Sequence, residues 1–288
     1  MFIDTHCHLN FSAFKEDRDR IIKEALEKGM QIIMPSTQYS TSKRAVEIAE
    51  RYSEGVYAGI GLHPIHVDAR TVDVQEVESE EKEGQPWMTF DTRGEEFDYQ
   101  VYKDLVASKK VVAVGECGLD YYYQPKGSQK RIEFQARQKA VFEQHINLSL
   151  EQDLPLIIHC RKAHDDLLEM LERYRGKVRG VVHCYTGSQE QALKFLDFGF
   201  YFGFNGLIFK KVLALPSPEE VIASLPLDRI LLETDAPYLS PPQAHTERNE
   251  PLFVRYVAEE IARIKKLPVE EVSRVTTANA RTLFALPS

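Results

Sequence analysis

Eight short apolar runs, each followed by a longer stretch with helical periodicity, constrain this chain more than any other feature. The runs are Met1 to Asp4, Gln31 to Pro35, Val56 to Gly61, Val111 to Glu116, Pro155 to His159, Gly180 to His183, Phe200 to Phe204 and Arg229 to Glu233. Helical stretches include Arg18 to Lys28, Thr41 to Tyr52, Arg131 to Gln152, Ala163 to Tyr174, Gln189 to Asp197 and Glu250 to Lys265. Ser128 is the expected N-cap of the long central helix. Eight strand-helix units within 288 residues are the arithmetic of an α/β TIM-type (β/α)8 barrel, read as a single domain over 1–288. An open doubly wound sheet is the structural rival, but no G-x-G-x-x-G follows the first run. A hydrophobic fraction of 43% is ample for such a core.

The formal charge of −8 is confined to one segment. From Asp73 to Asp98 there are ten acidic residues against Lys82 and Arg93, which leaves 34 of each sign elsewhere. Residues 71–98 therefore read as an acidic insertion after the third strand: either a solvated surface loop or a segment that overhangs the functional rim. The balanced remainder has no broad basic stripe for gripping long nucleic acid, so any such substrate would be held locally. The first residues lack a basic stretch followed by an apolar run, no window is long enough to span a membrane, and the four cysteines show no C-x-x-C spacing. A cytoplasmic monomer with reduced thiols and no membrane partner is expected.

Histidines and carboxylates gather at the ends of the runs. His6 and His8 follow the first, His63 the third, Glu116 ends the fourth, His159 the fifth and His183 the sixth, and Asp235 lies just past the eighth. In a barrel those ends share one rim, and imidazoles converging with carboxylates suit zinc, iron or manganese. Cys7, Cys117, Cys160 and Cys184 each follow such a residue by one. Period-two alternation turns them toward the helix layer, so they read as packing thiols rather than ligands. Of the remaining histidines, His145 falls on the packing face of the long helix, His66 lies near the rim, and His164 and His245 read as solvated or supporting positions.

The segments FIDTHCHLN, GLHP, VGECGLDYYY, PLIIHCRKAHDD, GVVHCYTG, LLETDAPYL and RNEP resemble the successive motifs of the TatD family of metal-dependent deoxyribonucleases, a branch of the amidohydrolase-like barrels. The resemblance runs from the first residues to Asn279-Ala280, with the acidic insertion as its one large departure. It implies His6, His8, Glu116 and Asp235 around one metal, and Glu116, His159 and His183 around a second, with Glu116 bridging. It also implies that His63 and Arg161 face the substrate phosphate.

Two or more divalent ions, of zinc, magnesium or manganese, would then hold a water, lower its pKa and present a metal-bridged hydroxide to the phosphorus, with Asp235 and Glu116 as catalytic carboxylates. Arg161 would form a fork to phosphate oxygens, or pair with Asp165 or Asp166. Tyr121 and Tyr122 are base-stacking or packing residues, Glu233 a carboxylate able to orient a histidine, and Asn249 a substrate contact or a helix cap. Two activities compete. One is a 3′-5′ exonuclease-like phosphodiesterase acting on single-stranded DNA or DNA ends. The other is a binuclear metal hydrolase of a small-molecule or aminoacyl ester or amide.

Overall fold

The structure is a computed structural model that describes residues 1–73, 89–212 and 214–287. In chain order its strands are β1 (Ile3–Asp4), β2 (Gln31–Met34), β3 (Val56–Ile60), β4 (Ala69–Asp73), β5 (Thr89–Arg93), β6 (Val111–Asp120), β7 (Leu156–Arg161), β8 (Gly180–Val182), β9 (Tyr201–Phe204) and β10 (Ile230–Leu232). The helices are α1 (Arg18–Glu27), α2 (Tyr39–Ala49), α3 (Tyr99–Leu105), α4 (Ser128–Gln152), α5 (His164–Glu172), α6 (Gln189–Asp197), α7 (Pro218–Ser224), α8 (Val254–Lys265) and α9 (Val269–Phe284). Eight strands form one parallel sheet in the order β1-β2-β3-β6-β7-β8-β9-β10, so the TIM-type barrel expected from the alternation is the fold. Among the described residues no helix is long and apolar enough to cross a membrane.

Closure between β1 and β10 is made by backbone bonds just past the ends of these short strands. Thr5 donates its N–H to the Leu232 carbonyl at 3.0 Å, Asp235 to His6 at 2.8 Å and His8 to Ala236 at 2.7 Å, with a parallel bridge between Cys7 and Ala236. The Asp4 carboxylate reinforces this seam by accepting from the Thr234 hydroxyl at 2.6 Å and from the backbone of His6 and Thr234.

Two apolar layers follow from strand periodicity. Ile3, Ile33, Tyr57, Ala113, Ile157, Val181, Tyr201 and Leu231, one from each barrel strand, fill the interior. Ala280, Leu283 and Phe284 of α9 join them from the N-terminal end. The outer layer lies between sheet and helices and includes Cys7, Cys117 and Cys160, as the alternation argument requires. Cys184 differs: it is half-buried at φ 44, and its thiol donates to Asn205 Oδ1 at 3.6 Å. The left-handed turn at the end of β8 takes it out of the alternation.

Other local expectations are adjusted as well. Ser128 is the first helical residue of α4 and makes no cap bond, because Gly127, at φ 98, occupies the cap position. β4 and β5 pair antiparallel as a hairpin, and residues 74–88 of the acidic insertion lie outside the described residues. Toward residue 98 the chain packs back onto the barrel. Phe97 is buried and stacks on Tyr102 at 4.5 Å, and Asp98 caps α3 by accepting from Gln100 and Val101. Glu95 ties this return to the barrel, accepting from the Tyr39 backbone and the Tyr102 hydroxyl at 2.9 Å each.

Candidate metal centre

The site is the layer directly above the apolar interior. Two residues on from Ile157, Val181, Tyr201 and Leu231 stand His159, His183, Gly203 and Glu233, so period two alone aims these positions inward. The β6–β7 register is irregular between Gly115 and Cys117, which is where Glu116 enters the barrel mouth. Asp235 sits at φ 59, a left-handed turn that leads out of β10 beside His8.

Glu116 is the centre of the cluster. Its Oε1 lies 2.8 Å from His183 Nε2, 3.1 Å from His159 Nδ1 and 3.2 Å from His63 Nε2. Its Oε2 lies 3.3 Å from His6 Nε2 and 3.6 Å from His8 Nε2. Asp235 Oδ1 completes that second side, 3.3 Å from His8 and 3.6 Å from His6. The structure therefore brings together His6, His8, His63, Glu116, His159, His183 and Asp235.

The outward ring nitrogens reveal how each imidazole is held, since a nitrogen that donates on one side leaves a lone pair on the other. His8 Nδ1 is 3.3 Å from the Pro35 carbonyl and His159 Nε2 is 3.1 Å from Asp120. His183 Nδ1 faces Glu233 Oε1 at 3.5 Å. For His8 and His159 the outer acceptor takes the N–H and leaves the inner nitrogen facing the cluster, whereas His183 Nδ1 stands within ion-pair distance of Glu233 without a hydrogen bond among the described residues. His63 is reversed: its Nδ1 accepts the Ile65 N–H at 3.0 Å, so its proton is on Nε2, facing Glu116. His6 is fixed by stacking on His183 at 4.0 Å, and His8 by stacking on Phe11 at 4.3 Å.

Charge is concentrated here. Burial would raise the Glu116 carboxyl, but the surrounding His63, His183 and His6 prevail and hold it well below the usual carboxylate range. Burial likewise opposes ionisation of Asp235 and Asp120, and the adjoining His8 and His159 respectively keep both below their ordinary values. Burial would lower His183 and His159, yet Glu116 with Glu233, and Asp120 with Glu116, raise them. Burial and His183 lower His6, and burial and His159 take His63 down to about 4. Two ring nitrogens face each other at 3.1 Å in the His6–His8 pair and at 3.3 Å in the His159–His183 pair. Buried nitrogen and carboxylate donors set this close suit divalent cations, and the triads His6-Glu116-His183, His6-His8-Asp235 and His63-Glu116-His159 each fall within 4.8 Å.

A sequence profile described as TatD related DNase matches residues 3–285. The chain belongs to the TatD related DNase family. It is 39% identical to the metal-dependent hydrolase YabD of Bacillus subtilis, over 99% of this chain and 100% of that protein. It is 30% identical to the 3'-5' ssDNA/RNA exonuclease TatD of Pantoea ananatis, over 98% and 99%. The crystal structure of YjjV, a TatD homologue from Escherichia coli K12, superposes with a TM-score of 0.78 at 30% identity, covering 99% of this chain and 98% of that one.

In this TatD-family chain several supporting residues escape a sequence reading or change role. Asp120 accepts from His159 and from the Tyr122 N–H at 2.8 Å. Only its place in the same strand as Glu116 hinted at this. Asn205 donates to Glu233 at 3.0 Å. Asn249 is buried, and its amide donates to the Thr234, Tyr238 and Leu239 carbonyls, fixing the loop beyond Asp235. His145 bridges the Leu62 N–H and the Val141 carbonyl in the core. His164 is buried rather than solvated, packed against Tyr185 at 5.6 Å. Tyr121 is a packing residue bonded to Asp166 at 2.7 Å. Arg161 pairs with neither Asp165 nor Asp166; it lies on the Tyr122 ring at 3.5 Å.

Proposed function

We propose that this chain is a divalent-metal-dependent phosphodiesterase that shortens single-stranded DNA from its 3′ end, a single barrel domain over 1–288 working in the cytoplasm. One observation carries the reading: around Glu116 the outer nitrogens of His8 and His159 are held by acceptors, which leaves their inner nitrogens to the cluster, while His63 presents an N–H. That arrangement separates cation ligands from a phosphate donor. We assign His6, His8, Glu116 and Asp235 to one ion and Glu116, His159 and His183 to another, of zinc, magnesium or manganese.

Divalent cations held there would polarise a phosphoryl oxygen and lower the pKa of the attacking water. Asp235 is ionised at neutral pH and, with its side chain 15% exposed, lies at the open edge of the cluster. It orients the water and takes its proton. His63 donates Nε2–H to a non-bridging oxygen, and the Arg161 guanidinium supplies a planar fork beside it. The names of the relatives agree with a nucleic-acid substrate, since the Pantoea ananatis protein is an ssDNA/RNA exonuclease.

The test is a 5′-labelled single-stranded oligonucleotide, offered to chelator-stripped protein reloaded with magnesium, manganese or zinc, beside simple and aminoacyl esters. Stepwise shortening from the 3′ end is expected, and Asp235→Asn should slow it by roughly 10²- to 10⁴-fold, the range of a lost general base. Ester turnover with an intact oligonucleotide would assign the site to small esters instead. Full oligonucleotide activity in the Asp235→Asn protein would remove Asp235 from the chemistry.

A further inference from the structure

Next to the metal-ligand cluster, the rim carries an aromatic and cationic group that the hydrolytic mechanism leaves partly unused. Asp120 at the end of β6 holds His159 with one carboxylate oxygen and the Tyr122 backbone with the other. Asp120 and Arg161 are cross-strand partners, so the Tyr122 ring is delivered to the Arg161 side chain. The guanidinium carbon lies 3.5 Å from the centroid of that ring, and Lys162 Nζ lies 4.7 Å from it. Tyr123 stands perpendicular to Tyr122 at 4.9 Å and backs the guanidinium at 5.5 Å.

Among the described residues neither side chain forms a close ion pair or hydrogen bond: Asp120 carries the charge nearest to Arg161, but its two oxygens are taken by His159 and the Tyr122 N–H. The nearest carboxylates in sequence are committed elsewhere: Asp165 accepts from Gln191 at 2.8 Å, and Asp166 accepts from Tyr121 and pairs with Lys139 at 2.8 Å. Two cations gathered on one ring, with N–H groups that no close carboxylate occupies, offer donors to an anionic ligand at both positions. One phosphate at the cluster would occupy the fork of Arg161 and leave Lys162 open.

We propose that the Tyr122 ring seats two cations for two successive phosphates of a single strand, Arg161 for the phosphate at the cluster and Lys162 for its neighbour. The proposal rests on the nuclease reading for its substrate class. Tyr122 is a positioning residue: its face fixes the plane of the guanidinium while the N–H edges remain open to phosphate. Lys162 recognises a polynucleotide as opposed to a lone phosphodiester.

Binding measured without catalysis tests this. Metal-free protein, with chelator present, is titrated by anisotropy against a labelled thymidine oligonucleotide from about 50 to 200 mM salt. Competition by the unlabelled dinucleotide and trinucleotide, which carry one and two phosphates, is measured alongside. Lys162→Gln should lower the salt slope by about 0.7, one single-strand phosphate contact. It should also erase a trinucleotide advantage of about fivefold, the worth of an exposed ion pair. Tyr122→Leu should weaken binding roughly 2- to 30-fold, the span of a cation–π contact, and Tyr122→Phe should restore it. Lys43→Gln, on the remote helix α2, should keep the native slope.

An unchanged slope and an undiminished trinucleotide advantage in Lys162→Gln would overturn the subsite. So would a Tyr122→Phe protein as weak as Tyr122→Leu. Should Tyr122→Leu fail to fold, Lys162→Gln decides alone, because Lys162 is exposed. Protein that bound with the expected slope yet never cut the strand would sink the nuclease reading and leave the subsite standing.

Discussion

Replacing Glu233 by glutamine separates orientation from coordination at this centre. Glu233 is fully buried, and its Oε1 accepts from the Cys184 N–H at 2.6 Å and from Asn205 at 3.0 Å while facing His183 Nδ1 at 3.5 Å. Its Oε2 fills the space opposite Gly203, where a Cβ would approach it to 2.2 Å. Glutamine fits the same volume, and its carbonyl oxygen can keep both accepted bonds. What it loses is the negative charge that holds the Nδ1 proton of His183 and keeps the Nε2 lone pair inward. Removing a carboxylate behind a ligating histidine weakens metal affinity roughly 10- to 100-fold, or about 1.4 to 2.7 kcal/mol.

The pH dependence gives this prediction a second edge. In the metal-free protein Glu116 and Glu233 raise the His183 pKa well above its ordinary value against the effect of burial, so a cation must displace a proton there. Native affinity therefore falls as pH drops below that raised pKa. The variant has one carboxylate fewer, a lower His183 pKa, and a fall that begins at lower pH. The deficit of Glu233→Gln is thus greatest at high pH and narrows as the solution is acidified. Titration of stripped protein with Zn²⁺ or Mn²⁺ against a chromophoric chelator, at several pH values, reads both effects. Native affinity at every pH, or a deficit that widens on acidification, would refute the orientation argument.

Asp120→Asn should act in the same way on His159, weakening metal binding roughly 10- to 100-fold while the fold persists; the same chelator competition checks it. His145, held by burial at a pKa of about 4 against an ordinary 6.5, is neutral in the folded protein. Its contribution is complete above pH 6.5 and is lost as pH falls toward 4, by about 3 kcal/mol. Urea unfolding at both ends of that window should show His145→Gln less acid-sensitive than the native chain by that amount. Changing Glu76, Glu78, Glu80, Glu81 and Glu83 to glutamine removes five negative charges from the insertion and should raise kcat/KM on oligonucleotides, most at low ionic strength. Equal gains at all salt concentrations would rule out an electrostatic cause.

How much of this was legible in the sequence depends on the distance over which the information acts. The strands and the rim residues follow from alternation, a local property: His159 and His183 stand two places beyond Ile157 and Val181 of the interior. Glu116 is already harder, because the irregular register at Gly115 and Cys117 is a relation between β6 and β7. The charge of Glu233 suggested its orienting role, but Asp120 could be assigned only once its carboxylate was placed beside His159 Nε2. His63 shows the limit most clearly. Its sequence neighbourhood, GLHP, is compatible with a ligand or a donor, and the Ile65 N–H bonded to its Nδ1 makes the choice. Arg161 was read as a phosphate fork or as half of an ion pair, and its stacking on Tyr122 depends on cross-strand register.

The two halves of the cluster differ in what holds them, and that difference predicts how the molecule responds to metal. His159 and His183 extend from paired strands, with the His183 N–H bonded to Ile158 within the β7–β8 neighbourhood. His6, His8 and Asp235 instead belong to the closing seam, where short β1 and β10 meet through the bonds of Thr5, His8 and Asp235. A cation held by His6, His8 and Asp235 would join the first and last strands and so stabilise closure as well as serve the chemistry. At a free metal concentration 100 times the dissociation constant, that linkage is worth about 2.7 kcal/mol. Chelation should therefore quicken amide hydrogen exchange at Thr5, His8 and Asp235 more than at His183. Equal changes on both sides would show that the seam closes without help from its ligands; acceleration at His183 alone would place the cation's structural role in the opposite half of the barrel mouth.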